Sequence, residues 1–595
     1  MSDLFDKVEE KGEEETLRNS IWRFILSSEN ASLLVLGAVV GLAGGLGAVG
    51  FRYVIGLFQT LSYGSTGELL DLVAESPWYL RILVPALGGL VVGPTVYFFA
   101  REAKGHGVPE VMEAVALKRG VIRKRVVFIK TLVSAICIGT GGSVGREGPI
   151  VQIGSAVGST IGQLFNVSFN RMKILVGCGA AAGIAATFNA PLAGSMFAFE
   201  IVLDEFAITV FSPIIISAVT ATAVSRHFLG DVPAFLVPAY KLISPWELSL
   251  YGALGFFCAF VAVSFTTLLY RVEDAFESLK FPEYLKAPLG GLLIGLMGLW
   301  LPHILGVGYG AIDLALEQQL AWQVMAVLII YKILATSVTI GSGGSGGIFA
   351  PSLFIGSMVG GLYGAIVHSV FPGVTASSGA YSIVGMGGVV SATTHGPLSA
   401  ILILFEMTGD YKIILPLMIT CIISCMMARW FLTDSIYTLK LSRRGVNVRA
   451  GKDIHILSSI PVREVMNPDV ETIPEGLGLD KLTEKISMSK YNSFPVVNDE
   501  GHLVGILSYA DYRNAFLDEH LSDLIVAKDL ATRKVVTIRA DANLHEALEK
   551  ITTNDFSLLP VVSGDDDSKL VGVITRRDIM NAYNTAVVRK SLSKE

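Results

Sequence analysis

Charged side chains are scarce in this chain of 595 residues, where Asp, Glu, Lys and Arg make up 16% against 52% for hydrophobic residues. Soluble globular proteins carry about 25% charged residues, and the mean hydropathy here is +0.57. A soluble enzyme, a disordered scaffold and a fibrous protein are therefore excluded, and most of the chain is expected to lie in a lipid bilayer. The net charge of −6 gives no indication of a nucleic-acid partner.

Cysteine is also rare, and motifs for metal binding and catalysis are missing. None of the five cysteines belongs to a CxxC pair and all lie in apolar segments, which argues against a disulfide framework and a metal site. The sequence has no P-loop, zinc-ligand cluster or paired nucleophile and base, so an enzyme is not expected. A secretory signal is missing too, since residues 1–20 include an acidic segment that we expect to be cytosolic.

Apolar segments long enough to cross a membrane recur between residues 21 and 443. The clearest are Ala31–Gly50, Leu80–Phe99, Ala207–Val224, Leu248–Leu269, Leu320–Ile340 and Ile413–Leu432. Other segments are shorter and are interrupted at Pro149, Pro191, Pro351 and Pro397. In lipid, an interrupted helix is tolerated only where protein or a water-filled cavity surrounds it. The interruptions therefore indicate a transport pathway within an all-α membrane domain.

The distribution of basic residues predicts the orientation of the chain. Residues 118–130 and the exit from the last span, residues 440–452, are rich in Lys and Arg, whereas residues 64–76 contain acidic residues and no basic one. Cytoplasmic loops of membrane proteins carry the excess of Lys and Arg. We therefore expect a multi-pass protein of the cell (plasma) membrane with both termini in the cytoplasm.

The apolar part of the chain is duplicated. Residues 139–149 align without gaps to residues 341–351, which lie 202 positions later (341 − 139). Residues 105–109 have a fainter copy at residues 306–310. Matches in the same order and at nearly constant spacing indicate that one half arose by duplication of the other.

The Gly-rich turns before Pro149 and Pro351 suit the binding of an anion. Duplicated transporters place their substrate at the interface of the repeats, where the N-termini of broken helices point at it. Each of these turns leaves amide N–H groups unpaired at a helix start, and proline there costs no hydrogen bond. The sequence therefore predicts an anion path formed by helix ends rather than by cationic side chains.

After a basic linker at residues 444–455 the composition changes to that of a soluble α/β domain, which is also duplicated. Val470-Glu-Thr-Ile recurs as Val535-Val-Thr-Ile, 65 positions later (535 − 470). In both copies short β-branched strands alternate with amphipathic helices. We place the two copies at residues 456–520 and 521–590.

At these motifs the chain resembles the CLC family of chloride channels and proton-coupled chloride exchangers. The similar residues are Gly105-His-Gly-Val-Pro109, Gly145-Arg-Glu-Gly-Pro149, Gly347-Ile-Phe-Ala-Pro351 and Tyr437. The resemblance implies a transport domain at residues 21–443, with about eighteen broken helices in two inverted halves. It also implies a homodimer with one pore in each subunit. The tail resembles a tandem CBS-domain pair, so the whole chain is expected to join an all-α membrane domain to a cytosolic α/β domain.

The resemblance makes Glu147 the external gate. A carboxylate among helix N-termini can occupy an anion position itself and leave it when protonated or displaced, so conduction would depend on voltage and on external pH. The alternative is a helix-capping carboxylate with no gating role. The residues implied in anion binding are His106, Gly107, Arg146, Gly148, Ile348, Phe349 and Tyr437. Of these, Arg146 is expected to support the turn, and Tyr437 has an alternative role as an interfacial anchor.

His106 departs from the family pattern, which has serine at this position. A neutral imidazole offers one N–H donor, and a protonated one carries a full charge. Two interpretations stay open. In the first the side chain binds the anion, which would alter both the preference for chloride over related anions and the geometry of the inner gate. In the second the ring points away and backbone amides bind.

Ile201 is a second departure and bears on mechanism. Family exchangers carry two adjacent glutamates here, the second of which relays protons, whereas this chain has Glu200 followed by Ile201. Isoleucine cannot carry a proton, so a gated chloride channel is favoured and a chloride/proton antiporter is the alternative. In the antiporter Asp204 and Glu205 would relay protons in place of the missing second glutamate. Glu200 itself has an alternative structural role, because Glu406 occupies the matching position in the second half.

The CBS resemblance implies a sensor of adenine nucleotides, while transport itself would need no cofactor. The residues implied are Ser508, Asp511, Thr575 and Asp578 for phosphate and ribose, and the backbone of Thr537 and Ile538 for adenine. The ligand would be ATP, ADP or AMP. The alternative is a dimerisation domain without a ligand.

Overall fold

The chain forms two compact units, Met1–Val448 and Arg449–Glu595, in a computed structural model. The structure describes residues 29–231, 235, 242–446, 457–458, 460–489, 491–509, 511, 525–554, 556–564 and 566–592. The predicted acidic segment at residues 1–20, and the predicted linker beyond residue 446, lie outside the described residues.

The first unit is a bundle of apolar helices in which one order of elements occurs twice. The first half contains α1 Glu29–Tyr63, α2 Leu69–Glu75, α3 Trp78–Phe99, α4 Val108–Ala116, α5 Arg125–Gly139, α6 Glu147–Leu164, α7 Phe169–Phe188, α8 Pro191–Phe197 with a π-helical continuation over Ala198–Leu203, and α9 Ile208–Leu229. The second half contains α10 Glu247–Ser278, α11 Glu283–Trp300, α12 Tyr309–Leu316, α13 Trp322–Gly341, α14 Phe349–Val370, α15 Ser378–Thr394, α16 Pro397–Thr408 and α17 Ile414–Phe431, and α18 Thr438–Arg443 follows. Except for α2, each helix of the first half has its counterpart in the second, in the same order.

Eight helices among the described residues have the length and apolar composition of membrane spans. Each of the six segments that the sequence predicts as clear spans coincides with one of them. The chain is therefore a multi-pass membrane protein, as predicted.

The two halves of the membrane unit are related by a local two-fold axis. Gly145 and Gly347 occupy equivalent positions, and the amide of each donates to the carbonyl of the other, at 2.7 and 2.6 Å. Glu200 and Glu406 exchange contacts in the same way, because each carboxylate accepts from amides at the start of a helix in the other half. Equivalent residues that bond reciprocally define a two-fold relation. The prediction of two inverted halves is confirmed.

Glycine allows close approach of neighbouring helices at equivalent places in both halves. A Cβ on Gly154 of α6 would overlap the carbonyl group of Gly179 on α7. In the second half, a Cβ on Gly356 of α14 would overlap the carbonyl group of Gly385 on α15. Small residues at contacts between membrane helices let the backbones pack directly, which accounts for part of the high glycine content.

The second unit contains two small sheets of the same topology. Their strands are β1 Ile473–Pro474, β2 Ser493–Val497, β3 Leu503–Ser508, β4 Ile538–Arg539, β5 Leu558–Val562 and β6 Leu570–Thr575. In the first sheet β1 pairs parallel with β2 and β2 pairs antiparallel with β3; the strands β4, β5 and β6 repeat this order. Within its described residues, the helices of this unit are α19 Leu479–Met488, α20 Ala527–Leu530, α21 Leu544–Asn554 and α22 Arg576–Leu592. The predicted duplication of an α/β domain is confirmed.

The two sheets of the second unit are also joined reciprocally. The backbone of Asn467 exchanges two hydrogen bonds with Val573, at 2.8 and 3.0 Å, and the backbone of Thr532 exchanges two with Ile506, at 2.9 and 3.1 Å. Asn467 and Thr532 are equivalent in the two copies, as are Ile506 and Val573. The copies therefore contact each other about a second local two-fold axis.

Candidate functional site

The Gly-rich loops of both halves lead into helix N-termini that lie close together. α6 begins at Glu147 and α14 at Phe349, each with a proline in its first turn. Gly105, in the loop before α4, bonds to the loop before α14: its amide donates to Gly344 at 3.1 Å, and its carbonyl accepts from Gly346 at 3.3 Å. With the bridge between the glycines before α6 and α14, these bonds hold the starts of three helices together. Such helix starts offer unpaired amide N–H groups to an anion.

Two buried lysines donate hydrogen bonds to the loops that precede α4 and α12. Lys130 of α5 donates to the carbonyls of Ala103 and Gly105, at 3.0 and 2.8 Å. Lys332 of α13, its equivalent 202 positions later (332 − 130), donates to Ile304 and Gly306, both at 3.0 Å. Both lysines have no exposed side-chain surface. Each lysine therefore ties a loop to the helix behind it.

The carboxylate of Glu147 is buried against the start of α14. Glu147 is 1% exposed, and its Oε1 accepts a hydrogen bond of 2.8 Å from the hydroxyl of Tyr309. Its Oε2 makes no hydrogen bond within the described part of the chain. A Cβ on Gly145 would overlap this oxygen and would lie 3.2 Å from the amide nitrogen of Ala350. The glycine thus leaves room for the carboxylate beside the first amides of the opposite helix.

His106 and Tyr437 lie together, each 1% exposed, with ring centroids 5.7 Å apart. The Nε2 of His106 is 3.4 Å from the hydroxyl of Tyr270, which itself donates to the carbonyl of Ile436 at 2.5 Å. The Nδ1 of His106 is buried and has no partner among the described residues. The imidazole therefore packs beside Tyr437 and Tyr270, and its binding of an anion stays a prediction.

The remaining predicted anion ligands fall into two groups. Ile348 and Phe349 are both 1% exposed, and Phe349 packs against Phe188 and Phe197, with centroids 5.7 and 6.3 Å apart. A Cβ on Gly148 would overlap the carbonyl of His106, and one on Gly107 would lie 3.0 Å from the carbonyl of Gly148. The backbone around both glycines is therefore packed into the same junction as His106.

Arg146 contacts a different set of residues. Its guanidinium carbon lies 5.3 Å from the centroid of the Tyr309 ring. With Arg52, Glu68 and His303, Arg146 and Tyr309 line a cavity of 150 Å³. Arg146 therefore lies beside the residue that bonds Glu147, and its support of the turn stays a prediction.

The position expected to relay protons is apolar and packed. Ile201 is 5% exposed, and a Cβ on Gly396 would lie 2.9 Å from its Cδ1. Glu200 accepts from the amides of Leu398 and Ser399, at 3.1 and 2.7 Å. The geometry agrees with the structural interpretation of Glu200.

Glu406 forms the matching clamp in the opposite direction. It accepts from the amides of Leu192 and Ala193, also at 3.1 and 2.7 Å. Asp204 and Glu205 lie beyond the end of the π-helix, where Asp204 is left-handed with φ +49° and exposed. These two acids therefore lie outside the helix that carries Glu200.

An ion-pair cluster joins α4 to α18. Glu110 of α4 lies 3.5 Å from the ammonium group of Lys440 and 3.4 Å from the guanidinium of Arg444. Tyr437 directly precedes α18, and His106 lies two residues before α4. The cluster therefore fixes the relative position of the two helices next to His106 and Tyr437.

Several of these residues were missed by the sequence analysis. Lys130 and Lys332 share the repeat spacing of 202, so a closer self-alignment would have found them. Tyr309 lies in the fainter repeat at residues 306–310, but nothing in its pattern points to Glu147. Tyr270 has no sequence signal, since it is one aromatic residue in a long apolar helix.

The predicted nucleotide residues of the second unit bond to one another. Asp511 Oδ2 accepts from the hydroxyl of Ser508 at 2.6 Å and from its amide at 3.0 Å. Asp578 and Thr575 repeat both bonds at the same distances. The carbonyl of Thr537, next to the buried Ile538, accepts from Lys550 at 3.1 Å.

These features define a membrane transport protein built from inverted repeats whose broken helices meet at one site. A model of the voltage gated chloride channel family matches residues 88–429, and CBS-domain models match residues 462–518 and 527–585. The chain belongs to the CLC family of chloride transporters and carries a tandem CBS pair.

Relatives and solved structures agree with this assignment. A ClcB-like protein of Ralstonia nicotianae is 35% identical over 415 residues, covering 69% of this chain and 97% of its own. The voltage-gated ClC-type chloride channel ClcB of Escherichia coli is 32% identical over 409 residues, covering 68% and 97%. A slow cyanobacterial Cl−/H+ antiporter has a TM-score of 0.64 and 29% identity, and a eukaryotic CLC transporter has 0.60 and 19%; the chain covers 97% of each. The cyanobacterial structure aligns with 69% of this chain and the eukaryotic one with 92%. At 19% identity, the eukaryotic transporter supports the fold alone.

Proposed function

We propose that this protein is a gated chloride channel in which Glu147 is the gate. The carboxylate lies beside the first amides of α14, in the space that an anion would take to reach those N–H groups. Protonation removes its charge, so that an anion can replace it there. Acid on the Glu147 side, or a voltage that drives anions towards it, opens the path.

The anion would pass from this gate to the region between His106 and Tyr437. The amides of Ile348 and Phe349 and the Tyr437 hydroxyl would bind it there, with Gly107 and Gly148 keeping the backbone close. Binding by helix N-termini is weak enough for the ion to leave again, which suits rapid conduction.

The observation that carries the channel assignment is the state of Ile201 and Glu200. Isoleucine cannot accept a proton, and the neighbouring carboxylate of Glu200 is engaged by two amides of α16. A proton entering from Glu147 therefore has no acceptor at this position, and chloride movement is not coupled to it.

A chloride/proton antiporter is the second candidate. It is favoured by the similarity to the cyanobacterial Cl−/H+ antiporter, whose 29% identity extends over 97% of that chain. Asp204 or Glu205 would then exchange protons with the cytoplasm in place of Ile201.

The reversal potential of the purified protein in planar lipid bilayers separates the two candidates. With a fixed chloride gradient, a channel keeps the chloride Nernst potential when a pH gradient is added, and an antiporter shifts towards the proton gradient. The matched variant is Ile201→Glu, which restores a carboxylate at this position. A shift of the reversal potential of the wild-type protein towards the proton gradient would contradict the channel assignment.

The assembly and location are part of the same proposal. We place a homodimer in the cell membrane, with residues 1–20, the linker at 444–455 and the CBS copies at 456–520 and 521–590 in the cytoplasm. The CBS pair would bind an adenine nucleotide between the Ser508–Asp511 and Thr575–Asp578 pairs and the Thr537 backbone. Each pair places a carboxylate beside a hydroxyl, and the Thr575–Asp578 pair lies at the start of α22, which fits ribose and phosphate. Lys550 holds the Thr537 carbonyl and would have to move to release it.

A further inference from the structure

Tyr309 is the one side chain of the second half that bonds directly to the carboxylate of Glu147 in the described structure. It begins α12, immediately after Gly308, which has φ +93°. The equivalent loop of the first half has Gly107 at φ +86° followed by Val108. The duplicated backbone is thus the same in both halves, but only the second half carries a hydroxyl at this position.

The Tyr309 ring is held on two sides. The guanidinium of Arg146 lies over its face at 5.3 Å, and Phe235 packs against it edge to face, at 5.2 Å and 80°. Its hydroxyl therefore has a fixed direction, and the 2.8 Å bond to Glu147 follows from the position of the ring.

Tyr309 also separates Glu147 from the cavity of 150 Å³. Tyr309 and Arg146 line this cavity, whereas Glu147 is 1% exposed and does not. A carboxylate that leaves its position beside α14 towards the cavity has to break the bond to Tyr309 and pass its ring.

We propose that Tyr309 is the positioning residue that latches Glu147 in the blocking position. This inference rests on the proposed gating role of Glu147. A hydroxyl that donates to a carboxylate favours the ionised form over the protonated one. Tyr309 therefore makes opening require a more acidic solution on the Glu147 side than the carboxylate would need without it.

Other charged and titratable groups lie around Glu147 and the loop that carries Tyr309. They are Arg146 at the start of its own helix, Tyr437 before α18, Lys332 of α13 behind the Tyr309 loop, and Arg52 and Glu68 across the cavity. Tyr309→Phe leaves all of these in place, so a change in this variant reports the hydroxyl alone.

The test is the pH dependence of chloride current through planar bilayers for the wild type, Tyr309→Phe, Glu147→Gln and the double variant. The loss of one hydrogen bond to a charged group should raise the pH of half-maximal activation in Tyr309→Phe by about one unit. Glu147→Gln should be open at all pH values, and Tyr309→Phe should change nothing in that background. Tyr363→Phe is the matched control, because the hydroxyl of Tyr363 donates to the carbonyl of Leu250 at 3.0 Å and does not contact Glu147.

Each other outcome has a distinct meaning. If Glu147→Gln abolishes the pH dependence and Tyr309→Phe behaves as wild type, the latch is wrong and the gate stands. An equal shift from Tyr309→Phe with and without Glu147 also overturns the latch. If Glu147→Gln keeps the wild-type pH dependence, the gating role itself fails. Glu147→Asp gives a second test, because a carboxylate shorter by one methylene cannot keep both the bond to Tyr309 and its place beside α14. This single substitution should raise the pH of half-maximal activation even when Tyr309 is present.

Discussion

At the scale of a single residue, His106 determines the space available next to Tyr437. The two rings are tilted by 45° to each other with centroids 5.7 Å apart, and both side chains are almost completely buried. His106→Ser replaces a ring by a hydroxymethyl group and keeps one hydrogen-bond donor. We expect chloride efflux from liposomes to become several-fold faster, because the narrow region between the rings widens.

The variant Tyr437→Phe is the control for this prediction. It keeps the ring and removes only the hydroxyl, so it tests anion binding without widening the path. A slower efflux in His106→Ser would show that the imidazole stabilises the ion more than it obstructs it. The sequence could identify His106 as a departure, but its contact with Tyr270 depends on how α10 packs, which no local pattern records.

At the scale of secondary-structure elements, the exchange between Glu200 and Glu406 joins the two halves. Each carboxylate accepts two amide bonds from the start of the helix in the opposite half, at 3.1 and 2.7 Å. Glu200→Gln and Glu406→Gln should each lower the stability by about 1 kcal/mol, since a neutral amide is a weaker acceptor for a helix start. Thermal unfolding of the detergent-solubilised protein measures the stability of both variants. Because the two carboxylates make the same pair of bonds, the two losses of stability should be equal.

The same pair of variants tests whether Glu200 also carries protons. If it acts only as a cap, the reversal potential under a pH gradient should be identical in Glu200→Gln, Glu406→Gln and the wild type. A change confined to Glu200→Gln, with unaltered thermal stability, would assign it to a proton path instead.

The elements themselves could be predicted because their signals are local. The turns before Pro149 and Pro351 gave the starts of α6 and α14, and the constant spacing of 202 gave the repeat. The pairing of side chains across the two-fold axis could not be predicted from the sequence, because it depends on the inversion of one half relative to the other. For this reason Glu147 was recognised as a gate candidate while its partner Tyr309 was not.

At the scale of the whole molecule, the membrane unit has its own apolar core, separate from the cores of the CBS copies. The curated ClcB of E. coli is matched over 97% of its length by 68% of this chain, so a comparable length suffices for a transporter of this family. The last helix that the site needs is α18, since Tyr437 precedes it directly. A chain that ends after residue 446 therefore retains every residue proposed to bind or gate the anion.

We expect this truncated chain to conduct chloride with the pH dependence of the full protein but to lose any response to adenine nucleotides. The full-length variant Asp578→Ala is the matched comparison, because it breaks the Thr575–Asp578 pair and leaves the membrane unit untouched. Isothermal titration with ATP, ADP and AMP measures nucleotide binding, and current measurements with each nucleotide then measure the response.

If the nucleotides bind the full chain but leave its current unchanged, the CBS pair is no sensor. If a nucleotide changes the current of the truncated chain, its site lies in the membrane unit. Loss of binding in Asp578→Ala together with loss of the current response would tie regulation to the CBS pair.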